Sequence, residues 1–570
     1  MNRVRFNWRV AALWVLPLTF LALFYFYPLG SILRVSFSRG EAGLIAPFKE
    51  ALTSPSMRNV LWFTIWQAVL STILTLLFGI PGAYLLARYD FRGKSLLYAL
   101  TSIPFVMPTL VVAAAFNALL GPRGLVNVAL IDWFNLSQPP IHFINTLTAI
   151  LLAHIFYNTT IVLRLVGDFW SHIDPRMGQA AKVLGASPLQ AMRYVTLPLL
   201  MPAITAASLL VFIFDFTSFG VILVLGGPHF ATLEVEIYYQ TISLFNLPLA
   251  AALAVIQLAC TLVFTILYTR LSSRVSRPLS LRPQRFTQKR LRTWGERLLA
   301  ALVIIPYISL LTLPLVALAA RSFTRLDPER GQNSPVTAGL TLAYYRELSI
   351  NRRESLFYTP PVKAISTSLT YAAATVILAL GLGLPVAWSL ARNTGSTINR
   401  FMDPVLMLPL GTSAVTLGLG FIVALSRPPL DLRASPILIP LAHTLVAFPF
   451  VVRSLTPAIY SIRPRLRQAA AVLGAPNGQI IRFVDLPLVS RALLVAAAFA
   501  FTISLGEFGA TALIARPDNP TIPIMIYRFI SQPGALNYGQ ALALSTILMV
   551  ITAVGMLAIE RFRIADVGEF

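Results

Sequence analysis

The chain has 570 residues, 56% of them hydrophobic and only 12% charged, with a formal net charge of +23. So little charge over so much apolar sequence excludes a soluble globular domain and describes a polytopic membrane protein. The basic excess does not describe a nucleic-acid binder, because Lys and Arg sit in short segments between apolar runs, with no basic face interleaved with aromatics.

The basic start, MNRVR, precedes an apolar stretch longer than a signal-peptide core, which predicts a first spanning helix at 10–32 that is retained. Windows of about 20 apolar residues predict further spans at 59–87, 97–120, 143–166, 199–226 and 248–270. After a basic stretch they recur at 297–320, 364–391, 403–425, 435–455, 488–513 and 540–560. The expected fold class is therefore all-α and polytopic, with about twelve transmembrane helices in two sets of six. The first half is 1–271 (core 59–271), the linker 272–296, and the second half 297–570 (core 364–560). Pro81 and Pro385 recur late in the second span of each half. They either kink helices that move or bend them with no gating role.

From Ser272 to Arg297 the chain carries eight basic residues against one acid, Glu296. The positive-inside bias places this linker, Arg3, Arg5 and Arg9, and both termini in the cytoplasm. The exterior stretch 321–363 fits the rule least, being basic but also holding Asp327, Glu329, Glu347 and Glu354. Cys260, the single cysteine, lies in an apolar run, so no disulfide framework or Cys-based metal site is expected.

The halves repeat. QAAKVLGASP (Gln179–Pro188) returns as QAAAVLGAPN (Gln468–Asn477), 289 positions later. At the same offset His154 matches His443, Arg164 matches Arg453, Phe219-Gly220 matches Phe508-Gly509, and Ile237-Tyr238 matches Ile526-Tyr527. Copies in one orientation imply a parallel duplication with a pseudo-two-fold axis along the membrane normal.

One motif sits in both halves. It comprises Gln179-Ala180-Ala181, Gly185, Val195 and Leu197-Pro198, then Gln468-Ala469-Ala470, Gly474, Val484 and Leu486-Pro487. The Gln-Ala-Ala run favours a short helix, Gly can end it in a left-handed conformation, and Pro suits the start of the next span. The expected product is a cytoplasmic helix–turn–helix elbow whose Ala and Gly leave a low surface for a partner. The alternative is a small-residue packing motif, which two matched copies argue against.

This motif resembles the EAA loop of ABC transporter permeases of the type I importer class, and the whole chain resembles two such permease domains fused, as in the thiamine and ferric iron permeases. Gln179 and Gln468 depart from the Glu often found there. The resemblance implies a type I importer permease fold in the cell's inner membrane. It implies docking of the two elbows on two copies of a cytoplasmic ATPase, and an extracytoplasmic solute-binding protein. ATP and Mg would be bound by the ATPase, with no cofactor, metal site or catalytic residue in this chain. Gly93-Lys94-Ser95 looks like a P-loop tail, but Arg88 stands where the first glycine is needed. GLGFIV (Gly418–Val423) lacks the third glycine of a dinucleotide fingerprint. The segment Ser218–Ser243 resembles thiamine permeases, and Ser504–Ser531 resembles both families, which favours thiamine with ferric iron as the alternative. An ion-coupled secondary transporter of twelve helices is the alternative of another class, and a membrane-embedded enzyme a third.

Asp215 and Glu507, on the fifth span of each half, are the main deep acids, with Ser218 aligned to Glu507. Acids in lipid are costly and should face the interior or a wet path. With Ser218, Phe219 and Phe508 they are read as a cation-attracting path. Phe212, Phe214, Phe216 and Phe219 offer ring faces to a thiazolium. The other reading is an interhelical hydrogen bond. For His154 and His443, packing with a hydrogen bond is expected over metal ligation. Arg164 and Arg453 are expected to snorkel or pair.

Overall fold

The computed structural model describes residues 8–37, 45–275, 288–325, 339–350, 359–392, 397–426, 428 and 430–562. Among them eleven helices are long and apolar enough to cross a membrane. The number is twelve if the pair Phe401–Gly411 and Ala414–Ala424, bent by 95°, counts as one span. The protein is an all-α multi-pass membrane protein.

The halves show one series of elements. A long helix (Pro55–Arg88; Pro361–Arg392) leads to a broken one (Lys94–Val106 with Thr109–Leu120; Thr397–Met407 with Ala414–Ala424). A mostly buried helix follows (Leu147–His172; Leu438–Tyr460), then a short surface helix (Pro175–Val183; Pro464–Val472) and a further long one (Leu197–Phe216; Leu486–Gly506). Two short helices (Gly220–Leu225 and Leu233–Ile242; Gly509–Ile514 and Ile522–Ile530) precede the last span (Leu247–Val275; Ala535–Phe562).

Four expected spans are not single helices. The window 97–120 breaks at Met107, which is extended (φ −69°, ψ 133°), the conformation favoured by a residue before proline. The window 403–425 breaks where Ser413 leaves helical space and its hydroxyl accepts the N–H groups of Val415 and Thr416. The windows 199–226 and 488–513 stop at Phe216 and Gly506, then restart as short helices at Gly220 and Gly509. Hydropathy runs on across all four breaks, so window averaging cannot see them. Pro81 and Pro385 do not end their helices, which run on to Arg88 and Arg392.

Of the linker, 276–287 lies outside the described residues, as do Arg3, Arg5, Asp327, Glu329 and Glu354. The linker's ends are ordered: one helix runs on to Val275, and Thr293 and Glu296 form a capping box that starts Trp294–Ser322. Between them Lys289–Arg290 pairs in parallel with Tyr89–Asp90, fastening the linker to the end of the first long helix.

Each half also lays its opening helix on the other half. In Leu13–Ser36, Trp14 Nε1–H donates to Ser389 Oγ at 2.8 Å, and the Tyr25 and Thr412 hydroxyls meet at 2.7 Å. In Trp294–Ser322, the Tyr307 hydroxyl donates to Phe78 O at 2.5 Å and Arg321 to Arg123 O at 2.6 Å. Within each half the long helix crosses the mostly buried helix at a glycine. A Cβ at Gly79 would stand 2.6 Å from Val162 Cγ1, and one at Gly383 2.7 Å from Val451 Cγ1.

Gly79→Leu is therefore expected to destabilise the fold by about 1–3 kcal/mol and to lower the melting temperature of the purified protein. Gly381→Leu, whose Cβ would meet nothing within 4 Å, should not lower it; equal losses would contradict the crossing.

Candidate functional site

The first elbow begins at Asp174, whose carboxylate accepts the Arg176 N–H at 3.0 Å and caps Pro175–Val183. The helix ends as a Schellman motif: Ala186 N–H donates to Ala181 O and Gly185 N–H to Lys182 O, both at 3.0 Å, with Gly185 at φ +89°. The second elbow repeats this, with Ala475 to Ala470 and Gly474 to Ala471, both at 3.0 Å, and Gly474 at φ +84°. An added Cβ at either glycine would meet nothing within 4 Å. Within this chain, glycine thus serves the backbone angle rather than a packing contact. A π-helical turn (Met192–Thr196; Ile481–Asp485) then leads into the long helices at Leu197-Pro198 and Leu486-Pro487.

Gln179, Ala180, Leu197, Pro198, Gln468, Ala469, Leu486 and Pro487 are all exposed, and Ala181 and Ala470 half-buried. The barest residues are ones that sequence reasoning left unassigned. Val183 is 86% exposed, Leu184 88%, and Val472 and Leu473 87% each. Apolar tips this bare, at matched positions, mark a surface made to be covered. The repeated Val-Leu before each glycine was the available signal.

The elbows are anchored differently. Asp485, buried, is held by Arg467 Nε at 2.6 Å and Nη2 at 2.5 Å, with Arg392 at 3.5 Å. Both guanidinium groups lie over Trp388, at 4.9 and 5.3 Å. At the aligned positions the first elbow has Thr196 and Gly178. There Arg88 donates to Ile173 O at 3.3 Å, and a cavity of about 170 Å³ opens among Tyr84, Arg88, Gly178, Thr196 and Lys289.

About 27 Å of helix beyond Leu197, each half buries a histidine against an acid and a serine. His154 lies 3.3 Å from Asp215 through Nδ1 and 2.9 Å from Ser218 through Nε2, with Ser71 Oγ at 2.8 Å from Nδ1. Asn158 donates to Asp215 Oδ1 at 2.6 Å. His443 lies 2.7 Å from Ser504 through Nδ1 and 3.3 Å from Glu507 through Nε2. Glu507 also accepts the Ala510 and Thr511 N–H groups at 2.8 and 3.1 Å, capping the short helix. At the 289-residue offset Asp215 aligns with Ser504 and Ser218 with Glu507. Acid and serine have exchanged places around an unchanged histidine. The interhelical hydrogen bond is thus present for both acids and both histidines. Arg453 reaches Asp403 at 3.5 Å.

Phe219 and Phe508 stack on each other, with centroids 5.4 Å apart and planes at 20°. The other three phenylalanines do not join them. Phe212 and Phe216 pack on Phe264, at 4.8 and 5.4 Å, and Phe214 is exposed on the outer surface. A third deep acid was missed. Glu234, fully buried, accepts from Gln257 and, at 2.5 Å, from Ser413 of the other half. It lies between two apolar windows, so a reading by spans passes over it.

Residues 79–277 match a family described as "Binding-protein-dependent transport system inner membrane component". The chain is 29% identical to the thiamine transport system permease protein ThiP of Brucella abortus over 541 residues, 93% of this chain and 92% of that one. It is 28% identical to the same-named protein of Escherichia coli over 496 residues, 84% and 85% of the two chains. A crystal structure of a bacterial ABC transporter involved in the import of the acidic polysaccharide alginate aligns with a TM-score of 0.39 at 20% identity, over 47% of this chain and 96% of that one.

The exchange around the histidines predicts its own test. Asp215→Ser alone leaves His154 without its acid and should lower thermal stability. Asp215→Ser with Ser218→Glu restores an acid on the other ring nitrogen and should recover most of the loss. A double variant no more stable than the single would show that the two positions are not interchangeable.

Proposed function

Because the chain is a permease of the binding-protein-dependent ABC importer type, with two permease halves fused, we propose that it imports thiamine, driven by a separate ATPase. Relatives named as thiamine permeases, matched over more than four-fifths of the chain, support thiamine over ferric iron. In this reading the elbows, the basic linker and both termini face the cytoplasm, and the solute-binding protein docks on the opposite face. Two ATPase subunits bind the ATP and Mg, one subunit to each elbow, and the chain itself performs no covalent chemistry.

The observation that carries the reading is the pair of bare Val-Leu tips, Val183-Leu184 and Val472-Leu473, each held by a fixed Schellman turn. Burying a Val or Leu side chain contributes about 1.5–3 kcal/mol, so a groove that took both residues would bind each elbow firmly. Gln179, Ala180, Ala181 and Gly185, with Gln468, Ala469, Ala470 and Gly474, form and flank these tips. Leu197-Pro198 and Leu486-Pro487 join them to the long helices. Closure of the ATPase on ATP draws the elbows together, and the long helices carry the movement to Asp215, Ser218, Phe219, Glu507 and Phe508, which line the path. The halves then part toward the binding protein, and hydrolysis resets them.

Leu184→Asp with Leu473→Asp should abolish co-purification of the ATPase while leaving the permease folded, because both side chains stand clear of the core. Uptake of labelled thiamine and of ferric iron by the wild-type complex, run in parallel, names the cargo. An intact complex in the double variant would remove the elbows from the interface, and uptake of iron alone would remove thiamine.

A further inference from the structure

In a parallel duplication a residue can touch its own repeat copy only on the axis between the halves. Phe219 and Phe508 are such a pair, stacked at 5.4 Å. Tyr238 and Tyr527 are a second pair, near enough for their phenols to interact. Each tyrosine also leans on the phenylalanine of its own half, at 5.5 and 5.6 Å. Four rings from two halves therefore close the axis, far along the long helices from the elbows. Glycine follows each phenylalanine, and Gly220 admits the approach of Phe508. A Cβ on Gly220 would stand 2.5 Å from Thr109 Oγ1 and 3.2 Å from Phe508 Cδ1.

We propose that these four rings are a gate that becomes, on parting, a cage for a flat organic cation, so that the permease selects its cargo by charge as well as by shape. The proposal rests on the thiamine reading above and adds Tyr238 and Tyr527 to the path. The stack joins the halves, so any rocking that opens the axis must separate Phe219 from Phe508. A planar ring between them needs a gap of about 7 Å, two van der Waals contacts, which is a small widening of the present stack. The faces so exposed carry the negative side of the ring quadrupole, and a desolvated cation gains most from it. Two acids lie close by in the chain. Glu507 precedes Phe508 directly, with its carboxylate turned to His443 and the Ala510 and Thr511 N–H groups, and Asp215, four positions before Phe219, has a buried Oδ2 that takes no hydrogen bond among the described residues. A neutral solute of the same shape gains only the packing.

The test uses the permease–ATPase complex in proteoliposomes with its binding protein. It follows uptake of labelled thiamine and of a thiophene isostere that keeps the shape without the charge. Each variant is expressed as its ratio to wild type for the same solute, which cancels the binding protein's own preference. Phe219→Leu with Phe508→Leu removes both π faces, and Phe→Tyr at both positions keeps them. The single Phe219→Leu is measured beside the double variant in case the latter does not assemble. The expected result is a loss of thiamine uptake of about tenfold in the Leu pair, the value of two modest cation–π contacts. The isostere should stay within about twofold, and the Tyr pair should recover thiamine uptake. Equal loss of both solutes, or no loss of either, would overturn the cage. Wild-type complex that does not import thiamine would overturn the cargo reading, and the cage with it, before any variant is compared.

Discussion

A chain that repeats itself in one orientation across a bilayer has a single axis between its copies, and the rest of this structure is arranged around that line. Residues on it lie by their own counterparts, as Phe219 stacks on Phe508 and Tyr238 lies near Tyr527. Residues off it stand in matched pairs at a distance, as the two elbows do. The long helices Leu197–Phe216 and Leu486–Gly506 run from the elbows toward the axial rings, so each half can work as a lever. The opening helices, each laid on the other half, keep the levers together.

Within the membrane the second demand is that every polar group find a partner, because no water is there to supply one. Each half answers it with a histidine flanked by one acid and two hydroxyls, Ser71 and Ser218 in one half and Ser504 and Thr511 in the other, and leaves only Asp215 Oδ2 of these groups without a hydrogen bond among the described residues. The acid has settled at Asp215 in one half and Glu507 in the other, which is possible because the imidazole presents a nitrogen to each position. Glu234 meets the same demand across the halves, through Ser413. These are interior bonds of the bundle, and they hold the broken helix ends in place beside the axial rings. The elbows face water and follow other rules. One is fastened by Asp485 between two arginines, and the other leaves a small cavity at the same level.

Much of this was legible in the sequence. The duplication and the two elbows with their left-handed glycines follow from spacing that repeats at a constant offset, and the family from the motif's resemblance to a known loop. The breaks at Met107, Ser413, Phe216 and Gly506 did not show, because hydropathy averages over a window and a break takes only a few residues out of the helix. Glu234 escaped for the related reason that it lies between windows. The pairing of His154 with Asp215 and of His443 with Glu507 was hidden because the partners are about sixty positions apart and the acids are not in register. The repeat marked Val183, Leu184, Val472 and Leu473 as a matched Val-Leu pair, but only the fold shows how bare they stand. The repeat matched Phe219 with Phe508, but only the fold shows that the two touch and that this pair lies on the axis.

The central claim is that the elbows and the far ends of the halves move in opposite senses about that axis. In a Cys260→Ser background, spin labels at Val183 and Val472 report the elbows, and labels at Leu244 and Leu536 report the opposite face, all on exposed positions. Distances in the reconstituted complex, without nucleotide and then with ATP trapped, decide the matter. The account predicts that the elbow pair shortens while the opposite pair lengthens. Two pairs that shorten together, or an opposite pair that stays fixed while the elbows close, would contradict it.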